Sequence, residues 1–275
     1  MIDLHTHTTV SDGTDSPAQL INKALAQGLD TLAITDHDAI AGWTSAVQTL
    51  RGNLKLVLGA EISCLTETGI SVHMLGLLFD GTNSALLEAL ENTRDERMPR
   101  MRKMIELMQA DGIDISLSDV EAAMPVGATM GRPHLADALV AKKIIKTRDE
   151  AFQELLNNDS KYYVAHLAPT PVEAIKLIRA AGGVAVIAHP GRYKLTAMQL
   201  DELFKHFKEL GGLAIEVVTG SHSPAQYQIY SKAAEHYGFM ASRGSDFHDP
   251  RESYIDLGKL PHLPEHLTPV WSVFH

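Results

Sequence analysis

TLAITDHD, residues 31–38, is the stretch on which the fold turns. Its first half is aliphatic or β-branched and its second half polar, so it reads as a strand buried on both faces that ends in imidazole and carboxylate. The same construction recurs in IDLHTH (2–7), KLVLGAEIS (55–63), SVHMLGL (71–77), VAVIAHP (184–190), LAIEVV (213–218) and FMASRGSDFH (239–248). Seven candidate strands result, most of them ending in polar residues.

Helical signals lie between them. Ser16-Pro17 opens one helix as N-cap and first helical residue, with Leu20, Ile21, Ala24 and Leu25 as its apolar positions and a stop at Gly28. Thr170-Pro171 opens another, which carries Val172, Ile175 and Ile178 toward Gly182-Gly183. Alternation of strand and helix predicts an α/β fold: a parallel sheet closed into a barrel of (β/α) units. The alternation stops between about 80 and 165, where the pattern is helical. Helices are expected from Ser84 to Ala110, Ser118 to Met124, His134 to Lys143, and Thr147 to Leu156, the last with a capping box from Thr147 to Glu150. The chain therefore divides into a barrel of residues 1–80 and 165–275 and a helical insertion of residues 81–164, read as a lid packed on the barrel.

The totals agree with that plan. The chain has 275 residues, 45% hydrophobic and 21% charged, enough for one well-filled domain with an insertion. Its net charge of −10 leaves no global basic field to hold long duplex nucleic acid. An anionic substrate remains compatible, because bound divalent cations reverse the local sign. The single cysteine, Cys64, excludes an internal disulfide and reads as a small buried residue in a reducing compartment. No apolar run is long enough to span a membrane and no apolar leader follows Met1, so a cytoplasmic protein is expected. The oligomeric state is left open.

Chemistry is expected at the carboxyl ends of barrel strands. Read in order, those ends supply His5, His7, Asp12, His37, Glu61, His73, His189, Asp246 and His248, all imidazoles or carboxylates. Residues two apart on an extended segment point the same way, so His5 and His7 can share one ion. A donor set of imidazole and carboxylate suits Mn, Zn or Fe, and a carboxylate such as Glu61 can bridge two ions. One such histidine means little, but their recurrence on six of seven strands predicts a metal site.

The ordered set H-T-H (5–7), S-D-G (11–13), T-D-H-D (35–38), Glu61, His73, A-H-P (188–190) and S-D-F-H (245–248) resembles the PHP family, the polymerase and histidinol phosphatase family of metal-dependent phosphoesterases. The resemblance spans essentially the whole chain. It implies a distorted (β/α)7 barrel and up to three divalent ions, manganese foremost. His5, His7, Glu61 and Asp246 would hold one, Glu61, His73 and His189 a second, and Asp12, His37 and His248 a third. G-R-P-H (131–134), A-H-P-G-R-Y (188–193) and E-V-V-T-G-S-H-S (216–223) are similar to the branch of 3′,5′-nucleotide bisphosphate phosphatases and 5′→3′ exoribonucleases of short RNA.

That resemblance implies a small nucleotide or short RNA as substrate. Arg132 and Arg192 are the candidates to hold phosphate through paired guanidinium contacts, with Ser221 as a hydrogen-bonding neighbour. His134 and His222 are the candidate catalytic imidazoles, His134 also being placed to cap a helix. Asp36 is expected behind the ligands as an orienting partner. The run RDERMPRMRK (94–103) reads either as a solvated helix face or as arginines turned toward a second phosphate. Tyr162, Tyr163 and Tyr193 are core-edge residues or a stacking platform for a base. Histidinol-phosphate phosphatase is the enzymatic alternative and a non-catalytic accessory domain the other; the extra arginines and the complete ligand set weigh against them.

Overall fold

The computed structural model of the chain describes residues 1–50, 52–250 and 255–274. Its sheet has the order β1 (Ile2–Asp3), β2 (Thr31–Ile34), β3 (Lys55–Leu65), β4 (Ser71–Leu77), β5 (Val184–Ile187), β6 (Ala214–Thr219) and β7 (Met240–Gly244). The ends meet. Leu4 N–H donates to Arg243 O (3.0 Å), Asp246 N–H to His5 O (2.9 Å) and His7 N–H to Phe247 O (2.9 Å), which closes the sheet into a barrel.

Strands β1, β2, β5 and β7 stop before their polar ends, whereas Glu61 and His73 lie within β3 and β4. Asp38, His189 and Asp246 take positive φ (51°, 24° and 55°), a region costly for residues other than glycine, and the ladder ends at or near each of them.

The sheet is not wholly parallel as expected, since β4 runs antiparallel to both β3 and β5. The cause is the link before it. Residues 66–70 are too few for the crossover a parallel pair needs, and they close a tight turn instead, with Gly69 at φ 79° and Thr66 N–H donating to Ile70 O (2.9 Å). His73 consequently lies near the start of its strand, and the reversal carries that start to the same end of the barrel as the other ligands.

Helices α1 (Pro17–Ala26) and α2 (Ala41–Thr49) cover one flank. Five helices follow β4: α3 (Ser84–Asp95), α4 (Arg97–Ala110), α5 (Leu117–Ala123), α6 (Arg132–Ala141) and α7 (Arg148–Glu154). Then α8 (Pro171–Ala180), α9 (Ala197–Glu209) and α10 (Pro224–Tyr237) alternate with the remaining strands. The single helix expected from Ser84 to Ala110 is broken at Glu96. Pro99 explains the break, because it has no N–H to offer the carbonyl of Asp95 one turn earlier. At α7, Thr147 accepts from Glu150 N–H (3.1 Å), but Glu150 returns its bond to Lys146 N–H (2.8 Å), so the expected box is half formed.

Strand periodicity sorts the core. On β3, Leu58, Ala60, Ile62 and Cys64 pack outward under the helices, whereas Val57 joins Leu4, Ala33, Leu75, Leu77, Val186, Ala188 and Ala214 inside the barrel. Glu61 and Ser63 share the parity of Val57, His73 that of Leu75, and Glu216 that of Ala214. An apolar floor thus lies beneath a polar mouth. A separate apolar cluster, built from Met101, Met104, Ile105, Met108, Leu135, Leu139 and Tyr162 among others, belongs to the helices from α4 onward. Among the described residues no helix is long and apolar enough to cross a membrane.

Candidate functional site

Glu61, fully buried, stands at the centre of the mouth. Its Oε2 lies 3.3 Å from His5 Nε2, 3.2 Å from His7 Nε2 and 3.1 Å from His37 Nδ1, and its Oε1 lies 2.7 Å from His73 Nδ1 and 2.9 Å from His189 Nε2. Asp246 Oδ1 is 3.4 Å from both His5 Nε2 and His7 Nε2. Asp12 meets His248 Nε2 at 3.3 Å and His37 Nε2 at 3.7 Å. All nine expected ligands therefore converge.

The arrangement fits bound cations. His5 Nε2, His7 Nε2, His37 Nδ1, Glu61 Oε2, Asp12 Oδ1 and Asp246 Oδ1 are buried and form no hydrogen bond, although oppositely charged atoms lie close to them. They face shared points rather than one another. Three groups have donor atoms mutually within 4.8 Å: His5, His7, Glu61 and Asp246; His7, Asp12, His37 and His248; and His37, Glu61 and His73. The first group is the one expected. The second adds His7 to the expected set, and the third has His37 where His189 was expected, with His189 against the same Glu61 oxygen as His73.

The electrostatics agree. Burial would raise the acids, but the surrounding imidazoles outweigh it and hold Asp12, Glu61 and Asp246 well below the usual carboxylate range. Burial opposes protonation of His7 too, yet the close carboxylates of Asp246 and Glu61 push it up to about 10, a measure of how strongly the mouth attracts positive charge. Burial prevails at His37, lowered to about 3, and at His189, lowered to about 4, which leaves both rings neutral, the form in which an imidazole can ligate a metal.

The ligands are braced from behind. Asp36 accepts from Thr8 N–H (2.7 Å), Thr8 Oγ1 (2.8 Å) and Ser11 Oγ (2.7 Å), and Ser11 Oγ stands 3.3 Å from His7 Nδ1, so Asp36 orients that ring through a serine. Glu216, absent from the sequence-derived candidates, accepts from His5 Nδ1 (3.0 Å) and His189 N–H (2.7 Å). One carboxylate thereby fixes a ring on one strand end and a strained backbone on another. Gly244 makes room for it, because a Cβ there would sit 2.9 Å from Glu216 Oε1. A lone acid at an inward position of an apolar strand was the signal for Glu216.

The remaining candidates divide. Arg192 Nη1 donates to Asp246 Oδ2 (2.8 Å) beside the centre. Arg132 Nη1 donates to Leu156 O and Asn158 Oδ1 (2.8 Å each), and its guanidinium lies over Phe152. The basic run faces inward in part: Arg97 Nη2 donates to Asp38 Oδ2 (2.5 Å) and Ser63 Oγ (2.9 Å), and Arg100 Nε to Val164 O (2.8 Å), whereas Lys103 pairs with Glu106 on the surface. Burial first, then Arg132 and Arg97, lower the Arg100 guanidinium to about 10. Burial also lowers Arg132, which feels the charges of Tyr163, Arg97 and Arg192. Arg97, Arg100, Arg132 and Arg192 thus lie within electrostatic reach of their neighbours, as a basic rim.

His134 Nδ1 accepts from Gly131 N–H (3.1 Å), so the cap role is real and the ring proton is left on Nε2. His222 departs from its expected catalytic role. Its Nδ1 lies 3.2 Å from Val217 O and its Nε2 accepts from Gly191 N–H (3.0 Å), which leaves neither nitrogen for proton transfer. It props the turn that carries Arg192. Ser221 Oγ is buried without a hydrogen-bond partner in the turn between β6 and α10. Tyr193 is anchored by its hydroxyl, which donates to Ala188 O (2.5 Å) and accepts from His73 N–H (2.9 Å). Tyr162 is buried with its hydroxyl on Asp111 (2.9 Å), and Tyr163 lies under the Arg100 guanidinium.

Comparison with known proteins agrees with this geometry. The PHP domain model matches residues 3–234. The chain is 34% identical to a 3′,5′-nucleoside bisphosphate phosphatase of Chromobacterium violaceum over 98% of its length and 95% of that protein. It is 35% identical to a 5′-3′ exoribonuclease of Haemophilus influenzae over 99% of its length and 98% of that protein. A solved structure of an amidohydrolase from Chromobacterium violaceum, with bound sulfate, superposes with a TM-score of 0.93 at 34% identity, covering 98% of this chain and 94% of that one.

Proposed function

The chain belongs to the PHP domain family, and on that premise we propose that it is a metal-dependent phosphatase that removes the 3′-phosphate of nucleoside 3′,5′-bisphosphates and cuts short RNA from its 5′ end. Each reaction attacks a phosphorus on the 3′ oxygen of a 5′-phosphorylated nucleotide, so one site serves both. The observation that carries this reading is the meeting of two opposite regions: a carboxylate and imidazole centre, and a rim of Arg97, Arg100, Arg132 and Arg192.

The centre would hold up to three divalent ions, with manganese our assignment. His5, His7, Glu61 and Asp246 serve one, Asp12, His37 and His248 with His7 another, and Glu61, His73 and His189 the third. Such ions would draw charge from phosphoryl oxygens and make water a better nucleophile. Arg192, held at the edge by Asp246, meets the reacting phosphate. His134, whose Nδ1 accepts a backbone N–H, offers Nε2–H to the departing 3′ oxygen. Residues 81–164 act as an insertion on a barrel of 1–80 and 165–275, supported by the separate apolar cluster of its helices, and they carry Arg97, Arg100 and Arg132, of which Arg97 reaches Asp38 and Ser63 of the barrel.

The test is phosphate release with Mn2+ from adenosine 3′,5′-bisphosphate, histidinol phosphate and AMP at equal concentration. We expect strong preference for the bisphosphate. Equal or better turnover of histidinol phosphate, whose ammonium the arginine rim should repel, would retire the nucleotide reading.

A further inference from the structure

His166 has no part in the function proposed above, yet its surroundings ask for one. It lies on the segment that returns the chain from α7 to α8. Two backbone anchors bracket it: Arg100 Nε donates to Val164 O (2.8 Å), and Leu65 N–H, at the end of β3, donates to Pro169 O (3.0 Å). The segment that carries His166 is therefore tied to α4 on one side and to the end of β3 on the other.

His166 is 9% exposed, and both Nδ1 and Nε2 are buried without a hydrogen-bond partner among the described residues. A neutral imidazole has one N–H to give and one lone pair to fill, and a buried polar group left unmade costs about 1–3 kcal/mol. Native chains keep such a group where something else completes it. The charges acting on the ring are those of Arg97, Asp38, Arg100 and His73. Burial first, then Arg97, lower it to about 3, so it is neutral at ordinary pH.

Among the described residues no acceptor meets either ring nitrogen. Arginine side chains only donate. Asp38, the nearby carboxylate, is already taken by Ser63 N–H (2.8 Å), Ser63 Oγ (2.9 Å) and Arg97 Nη2 (2.5 Å). An anionic oxygen entering beside Arg100 would satisfy the guanidinium and the imidazole together.

We propose that His166, together with Arg100, receives the phosphate that is not cleaved, namely the 5′-phosphate of a nucleoside bisphosphate or of the leading nucleotide of a short RNA. His166 is then a specificity residue that donates its N–H to a terminal oxygen. Because neither nitrogen is open to solvent, the contact forms with a shift of the 164–169 segment. The inference rests on the nucleotide reading of the site.

The experiment compares wild type, His166→Ala and His166→Asn on adenosine 3′,5′-bisphosphate and adenosine 3′-monophosphate, with metal content and melting temperature recorded. For His166→Ala we expect kcat/KM on the bisphosphate to fall roughly 10- to 100-fold, as loss of a charge-assisted hydrogen bond implies. Turnover of the monophosphate should hold. Inhibition by AMP should weaken by the same factor, inhibition by inorganic phosphate should not change, and asparagine, which keeps an N–H donor, should recover part of the loss. Equal losses on both substrates, or none on either, would overturn the assignment. Should wild type itself show no preference for the bisphosphate, the nucleotide reading falls; a preference kept intact in His166→Ala removes His166 alone.

Discussion

The centre of the mouth and its rim are charged oppositely and built differently. Nine imidazole and carboxylate side chains from six strands make the centre, and several are held from behind by further polar groups. Glu216 holds His5 and His189, Ser11 and Asp36 hold His7, and the backbone of Asp246 holds His248. The rim has four arginines and few acids. Two of those arginines are already tied to the barrel, Arg97 to Asp38 and Arg192 to Asp246. The contrast teaches that the centre gathers donors suited to cations, whereas two of the arginines beside it are held by ion pairs to acids of the barrel.

Breaking the link between the two regions should have the largest effect. Asp38 is fully buried and the Arg97 side chain 10% exposed, so solvent screens the pair little. Arg97→Met leaves the carboxylate with Ser63 alone, and loss of one member of a buried pair costs about 3–5 kcal/mol. Urea unfolding should show that loss, and adding Asp38→Asn should restore part of it, the sign of a coupled pair. Full stability in Arg97→Met would mean that the rim stands without its strap.

Next in size is the brace inside the centre. Glu216→Gln keeps the volume but puts a donor where two N–H groups now converge, so His5 loses its fixed tautomer. We expect metal affinity to fall about 10- to 100-fold, the usual effect of losing an outer partner of a histidine ligand. Titration of metal-free protein with Mn2+, followed by the rise in melting temperature, measures it without reference to turnover. An unchanged titration would assign Glu216 to packing alone.

The two regions also differ in how far they could be read from the sequence. Strand ends declare themselves by composition, because few forces other than ligation gather His and Asp at the ends of apolar runs; hence the convergence of the nine side chains and the barrel were legible. Glu216 carried a signal, inward parity on β6, that composition alone does not weigh. The reversal of β4 was written in the shortness of residues 66–70, but the strand's own apolar pattern is the same in either direction. At the rim, helical periodicity finds α4 yet says nothing about what it faces. Arg97 and Lys103 belong to one basic run, and only the packing of α4 on the barrel sends the first to Asp38 and the second to solvent. The role of His222 is hidden for the same reason, since its partners Val217 O and Gly191 N–H are backbone groups that no motif displays.

Tyr193 offers the smallest and most discriminating test, because the platform reading and the observed contacts differ in which atom matters. A platform for a base uses the ring face, and phenylalanine supplies that as well as tyrosine does. The observed role uses the hydroxyl, which joins His73 N–H on β4 to Ala188 O just after β5 and so holds two ligand-bearing segments at one spacing. Tyr193→Phe should then lower stability by about 1–2 kcal/mol, since two buried backbone groups lose their partner. The ring remains against His189, so turnover should change only a few fold. Loss of stability with KM preserved supports the strap; a raised KM with stability intact would return Tyr193 to the substrate and move it from the centre to the rim.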